Sequence, residues 1–195
     1  MSEAREIEVL EELAGVFDAL GIPYAIGGSI ASSMYGTVRF TRDADIGVYP
    51  FTSVADKLYG RLKDRFYISE DAMQQALSCC GSFNIVHLET AFKIDIFLLG
   101  PSDFERQMLV RSKMVRLGES PESDMCFVSP EDVILLKLRR LNEADGFSDN
   151  QWDDILGVLA IQGQTLDSRY LTETAQQLGV EELLERAIAE AATYV

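Results

Sequence analysis

The chain has 195 residues, 47% of them hydrophobic, and carries 32 acidic against 17 basic side chains for a formal net charge of −15. That length and apolar share can bury a core without disulfides or a structural metal. No apolar run is long enough to span a bilayer, and the charge disfavours extended RNA or DNA binding unless the basic residues gather on one face. The charged start Met-Ser-Glu-Ala-Arg-Glu is unlike a secretory signal. Three cysteines, with Cys79 and Cys80 adjacent, match neither a disulfide framework nor a spaced metal-binding pair. The expectation is a cytoplasmic protein with no membrane partner and with buried or incidental thiols.

Ile7, Leu10, Leu13, Ala14, Phe17 and Leu20 recur at helical spacing and predict an amphipathic helix over 3–20, stopped by Gly21 and Pro23. A short apolar strand at 24–26 runs into Gly27-Gly28-Ser29, and a helix follows over 30–35. Residues 43–48 alternate with period two and are expected to pair with the first strand, after a connection containing Arg39 and Arg42. A helix over 54–62, a strand at 66–68 and a helix after Ser69 come next. The apolar runs 83–88 and 92–98 flank Glu89-Thr90-Ala91 and predict a hairpin. Ser102 with Glu105 forms a capping box for a helix to 110. The sequence Ser129-Pro130-Glu131-Asp132 opens a stronger one, to about 142. Further helices begin at 148–151, at 167 and from 181. These elements predict an α/β (α+β) body, a mixed sheet flanked by helices over 1–118, followed by a helical C-terminal region over 119–195. Residues 118–124 are the best candidate for an exposed linker.

Three features carry chemistry. Gly27-Gly28-Ser29 at a helix start lets backbone N–H groups approach a phosphate, although such a turn is more often only a turn. It lacks the Gly-Lys-Ser/Thr ending of a P-loop and the third glycine of a dinucleotide fingerprint. Asp43 and Asp45, two apart on a strand, point to one face while Ala44, Ile46 and Val48 point to the other. Two like charges side by side call for a cation such as Mg2+, unless they form a solvated edge paired with Arg39 and Arg42. Asp95 is a lone acid among Ile94, Ile96 and Leu98, on the opposite face with Lys93 and Phe97, and it too calls for a cation. Together the three acids suit two metal ions around a triphosphate, with Asp95 as second-metal ligand and base. His87, the single histidine, excludes a histidine-rich zinc site and reads as a partly buried core residue.

The combination Gly-Gly-Ser, Gly36-x-x-Arg39-Phe-Thr-x-Asp43-x-Asp45-Ile46 and Lys93-Ile-Asp95-Ile-Phe97 resembles the nucleotidyltransferase superfamily that includes DNA polymerase beta. Arg39-Phe40-Thr41 before the acids resembles the AbiEii-type toxins and related minimal nucleotidyltransferases. The resemblance covers residues 24–98 well and the helical tail loosely. It implies an enzyme that moves a nucleotide monophosphate from an NTP to a hydroxyl with Mg2+ as cofactor. In this reading Asp43, Asp45 and Asp95 are the metal-binding catalytic residues, and Gly27, Gly28 and Ser29 hold phosphates. Arg39 either neutralises phosphate or pairs with an acid, and Lys137 either reaches the triphosphate or is merely solvated. Asp153-Asp154-Ile155 resembles the acidic segment that follows that lysine in the family. The expected partners are an NTP and an acceptor. A protein hydroxyl or a cationic small molecule such as an aminoglycoside is favoured over nucleic acid. A cognate antitoxin or a second copy is a further candidate partner. The alternative reading is a non-catalytic nucleotide- or partner-binding module with the same fold.

Overall fold

A computed structural model describes the whole chain except residues 1, 40, 42, 118–123, 145–147 and 195. Two compact units emerge, Met1–Ile26 with Thr41–Phe127, and Gly27–Phe40 with Val128–Val195. The domain boundary expected at 118/119 and most of the expected linker fall outside the described residues.

The first unit is built on seven strands among the described residues: β1 (Tyr24–Ile26), β2 (Asp43–Val48), β3 (Phe66–Ile68), β4 (Ser82–His87), β5 (Lys93–Leu98), β6 (Lys113–Arg116) and β7 (Asp124–Phe127). They form one mixed sheet in the order β3-β4-β5-β2-β1-β7-β6. β1 and β2 are antiparallel, as are β4 and β5, while β2 runs parallel to β5 in the register Ala44↔Ile94, Ile46↔Ile96, Val48↔Leu98. All six of those side chains are buried, so the apolar alternation of two strands fixes one shared register. β6 and β7 were not foreseen. Each has four residues, too few for a period-two signal, and β6 carries Lys113 and Arg116 at its ends, as an edge strand often does.

The first unit also contains α1 (Ser2–Leu20), α3 (Ala55–Leu62), α4 (Glu70–Cys79) and α5 (Asp103–Arg111). α1 buries Val9, Leu10, Leu13, Ala14 and Phe17, the stripe its spacing predicts. Ser69 and Ser102 cap α4 and α5 by accepting from the N–H of Ala72 and Glu105. His87 is 2% exposed. Arg65 Nη2 lies 3.3 Å from its Nε2, and Thr90 Oγ1 lies 2.9 Å from its Nδ1, so both ring nitrogens are engaged. Cys79 and Cys80 are exposed at the end of α4 rather than buried, and Cys126 is half-buried; all three thiols are free.

The second unit is helical: α2 (Gly28–Tyr35), α6 (Pro130–Glu143), α7 (Asp149–Gln162), α8 (Ser168–Leu178) and α9 (Glu181–Ala191). α7 packs on α2, α6 and α9. Where the chain leaves α2, a Cβ on Gly36 would stand 2.7 Å from the Val158 nitrogen, and one on Gly157 would stand 2.9 Å from Thr37 Oγ1. Glycine at both positions lets the backbones approach. Ser129 caps α6 by accepting from Asp132 N and donates 2.7 Å to Asp132 Oδ2, while the Tyr170 hydroxyl donates to Oδ1 at 2.7 Å. No helix among the described residues is long and apolar enough to cross a membrane.

Candidate active site

In the first unit the ladder that buries Ile46 and Ile96 puts their neighbours outward. Asp45 stands directly opposite Asp95, and Asp43 directly opposite Lys93. Asp43 is exposed and Asp45, Asp95 and Lys93 are half-buried, all on the same face of the sheet. The predicted acids therefore come together on two adjacent strands. Each is also engaged within the protein. Thr41 Oγ1 donates 2.8 Å to Asp43 Oδ1, and Lys93 Nζ lies 2.7 Å from both Asp95 carboxylate oxygens. The Asp95 hydrogen bond raises the Lys93 pKa above its ordinary value; burial opposes this, and the charges of Asp95, Asp43 and Asp45 add to it.

The donor set is entirely carboxylate oxygen, the type a hard divalent cation takes. Among the described residues no group of three or more His, Cys, Asp or Glu side chains is drawn tightly enough to hold a metal ion. The donor chemistry and the shared face fit such an ion, and the Lys93 ammonium meets the demand for positive charge at Asp95.

The second unit gathers the residues expected at phosphate. Gly28 has φ +58°, a left-handed conformation that only glycine adopts without strain, and it opens α2 directly before Ser29. Arg39 Nη2 donates 2.6 Å to Ser29 Oγ. The same guanidinium grips Asp154 bidentately, from Nε to Oδ1 at 3.2 Å and from Nη2 to Oδ2 at 3.1 Å. Lys137 Nζ reaches Asp154 Oδ2 at 2.8 Å and Gln151 Oε1 at 2.9 Å. Lys137 is 5% and Asp154 6% exposed, so this lysine is buried rather than solvated. Burial alone would raise the Asp154 pKa, but hydrogen bonds from Arg39 and Lys137 outweigh it and hold the carboxyl below its usual range. Arg39 and Lys137 thus converge on one carboxylate, and Arg39 ties the cluster to the glycine turn. A helix start and a guanidinium aimed by a carboxylate are groups of the kind that bind phosphate oxygens.

Several participants escaped the sequence reading. Gln151 lies three residues before Asp154 on α7, so helical spacing places both on one side, a signal available in principle. Lys93 was expected on the face of Asp95, but its ion pair with that acid was not, although the two share the i,i+2 relation that singled out Asp43 and Asp45. Ser33, whose hydroxyl donates to the Arg39 carbonyl and accepts from the Arg39 N–H, both at 3.1 Å, gives no comparable signal.

No protein-family model matches the chain, and no curated protein matches its sequence. Solved structures do. The antibiotic-resistance factor ANT(2'')-Ia in solution aligns with 98% of this chain and 96% of its own at 13% identity and a TM-score of 0.55. ANT(2'')-Ia in complex with adenylyl-2''-tobramycin aligns with 94% and 98% at 12% identity and a TM-score of 0.52. An antigenic nucleotidyltransferase-like protein from Paracoccidioides brasiliensis aligns with 94% and 91% at 16% identity and a TM-score of 0.55. The chain has the nucleotidyltransferase fold.

Proposed function

We propose that the protein is a Mg2+-dependent nucleotidyltransferase that moves a nucleotide monophosphate from an NTP to a hydroxyl acceptor. One observation carries the reading: within this fold, the parallel ladder sets Asp45 opposite Asp95 and puts Asp43 on the same outward face. Asp43, Asp45 and Asp95 would hold the metal, which when bound neutralises phosphate charge and lowers the pKa of a bound hydroxyl. Asp95 would accept the proton of the acceptor. Gly27, Gly28, Ser29 and Arg39 would bind phosphate oxygens, with Asp154 orienting Arg39 and Lys137 adding positive charge beneath it. In-line positioning and charge neutralisation supply the rate enhancement, with no covalent enzyme intermediate.

The net charge of −15 supports a cationic small molecule or a protein hydroxyl as acceptor over nucleic acid. The likeness to ANT(2'')-Ia holding adenylyl-2''-tobramycin supports the small molecule. A role in a toxin–antitoxin pair rests on the Arg39-Phe40-Thr41 resemblance alone. Incubation with each α-labelled NTP, Mg2+ and a panel of amino-sugar acceptors should yield labelled acceptor and pyrophosphate. The Asp43→Ala/Asp45→Ala double variant should yield neither, and retained transfer would remove these residues from the mechanism. The Lys93–Asp95 ion pair favours a second reading, a nucleotide-binding module without turnover. Calorimetric NTP binding with no pyrophosphate released over hours would select it.

A further inference from the structure

Lys93 has no part in the roles assigned above, yet its surroundings give it one. Neighbouring strands lie about 4.8 Å apart, and like charges directly opposite each other on a sheet are destabilising. Asp45 and Asp95 are such a pair, with Asp43 two residues along on the same face. Lys93 stands opposite Asp43 and two residues before Asp95, so its ammonium rises from within the carboxylate group. It lies 2.7 Å from both oxygens of Asp95. Those oxygens are among the ones a divalent cation needs.

Resting on the reading just given, we infer that Lys93 is a built-in counter-ion that offsets the charge of Asp95 and competes with a divalent cation for it. It is a positioning residue that sets metal affinity. Without nucleotide the ammonium keeps that affinity low. Phosphate oxygens of a bound nucleotide would supply further ligands and charge, against which the Lys93 ammonium would compete less well for Asp95.

The test is calorimetric titration of Mn2+, without nucleotide, into the wild-type chain and into Lys93→Met, Lys93→Arg and Asp45→Asn. Because the Lys93–Asp95 pair is partly exposed and screened, the gain in Lys93→Met is expected to be on the order of fivefold tighter binding. Lys93→Arg should stay near wild type, and Asp45→Asn should bind far more weakly. A merely structural role for Lys93 predicts the opposite sign, since a disturbed sheet loses metal affinity. If the wild type binds Mn2+ and Lys93→Met binds it equally or more weakly, the counter-ion role is overturned and the metal site stands. If neither binds Mn2+ with or without NTP, the metal reading falls and takes this inference with it.

Discussion

Asp154→Asn probes the buried ion cluster of the helical unit with almost no change in volume. Asp154 and Lys137 side chains are 4% and 6% exposed, so the substitution strands an ammonium from which water is nearly excluded. Removing one partner of such a pair costs about 3–5 kcal/mol. The Arg39 side chain is 35% exposed and rehydrates, and the asparagine carbonyl still accepts one hydrogen bond, so the lower end, about 3 kcal/mol, is expected. Urea unfolding at neutral pH reads the loss as a lower midpoint at unchanged slope. Adding Lys137→Met removes the stranded charge and should restore part of the loss, a non-additivity of at least about 1 kcal/mol. The contribution also depends on pH. In the folded protein the Asp154 pKa lies below the ordinary value of 3.8, so the unfolded chain takes up the proton first as pH falls. The stabilisation is complete above about pH 5 and is lost as pH drops through the folded pKa, where wild type and Asp154→Asn should converge. A loss under about 1 kcal/mol at neutral pH, or strict additivity in the double variant, would refute the cluster as described.

Gly28→Ala forces a side chain into a left-handed conformation and should lower stability by about 1–2 kcal/mol in the same assay; an unshifted midpoint would contradict the conformation. Gly36→Ala drives a Cβ to within 2.7 Å of the Val158 backbone nitrogen, and the required separation of backbones should cost about 1–3 kcal/mol. Proteolysis rates of the helical unit should rise accordingly, and an unchanged rate would mean the approach is looser. Ser129→Ala removes the cap of α6 and a donor to buried Asp132, with a loss of about 2 kcal/mol by thermal or urea unfolding. Ser129→Thr, which keeps the hydroxyl, should recover most of it.

Where the residues follow a period, the sequence reading and the structure agree closely. The strands at 24–26 and 43–48 and the helices at 3–20, 54–62 and 129–142 match to within one or two residues, because buried alternation, stripes and serine caps are local signals. β6 and β7 had no such period, and their pairing depends on partners far along the chain. The outward placement of Asp43, Asp45 and Asp95 was legible from the same alternation. Their alignment across β2 and β5 was not, since strand order and parallel register are set by tertiary packing. Lys137 illustrates the other limit. Its position on an amphipathic helix left open whether it reaches phosphate or is solvated, and the bonds to Asp154 and Gln151 on a neighbouring helix, which make its burial tolerable, are tertiary.

The shared register of β2 and β5 has a consequence for how errors in folding translate into errors in activity. A slip of one residue along β5 would turn Asp95 inward and push Ile94 and Ile96 into water, which the core forbids. A slip of two would keep the apolar rows inside but bring Lys93 or Phe97 opposite Asp45. The first mistake is rejected by stability, the second would be stable in outline and chemically mute. Only the surrounding pairings, β2 with β1 and β5 with β4, guard against it. Strands that carry no reactive group thus act as the proofreaders of those that do.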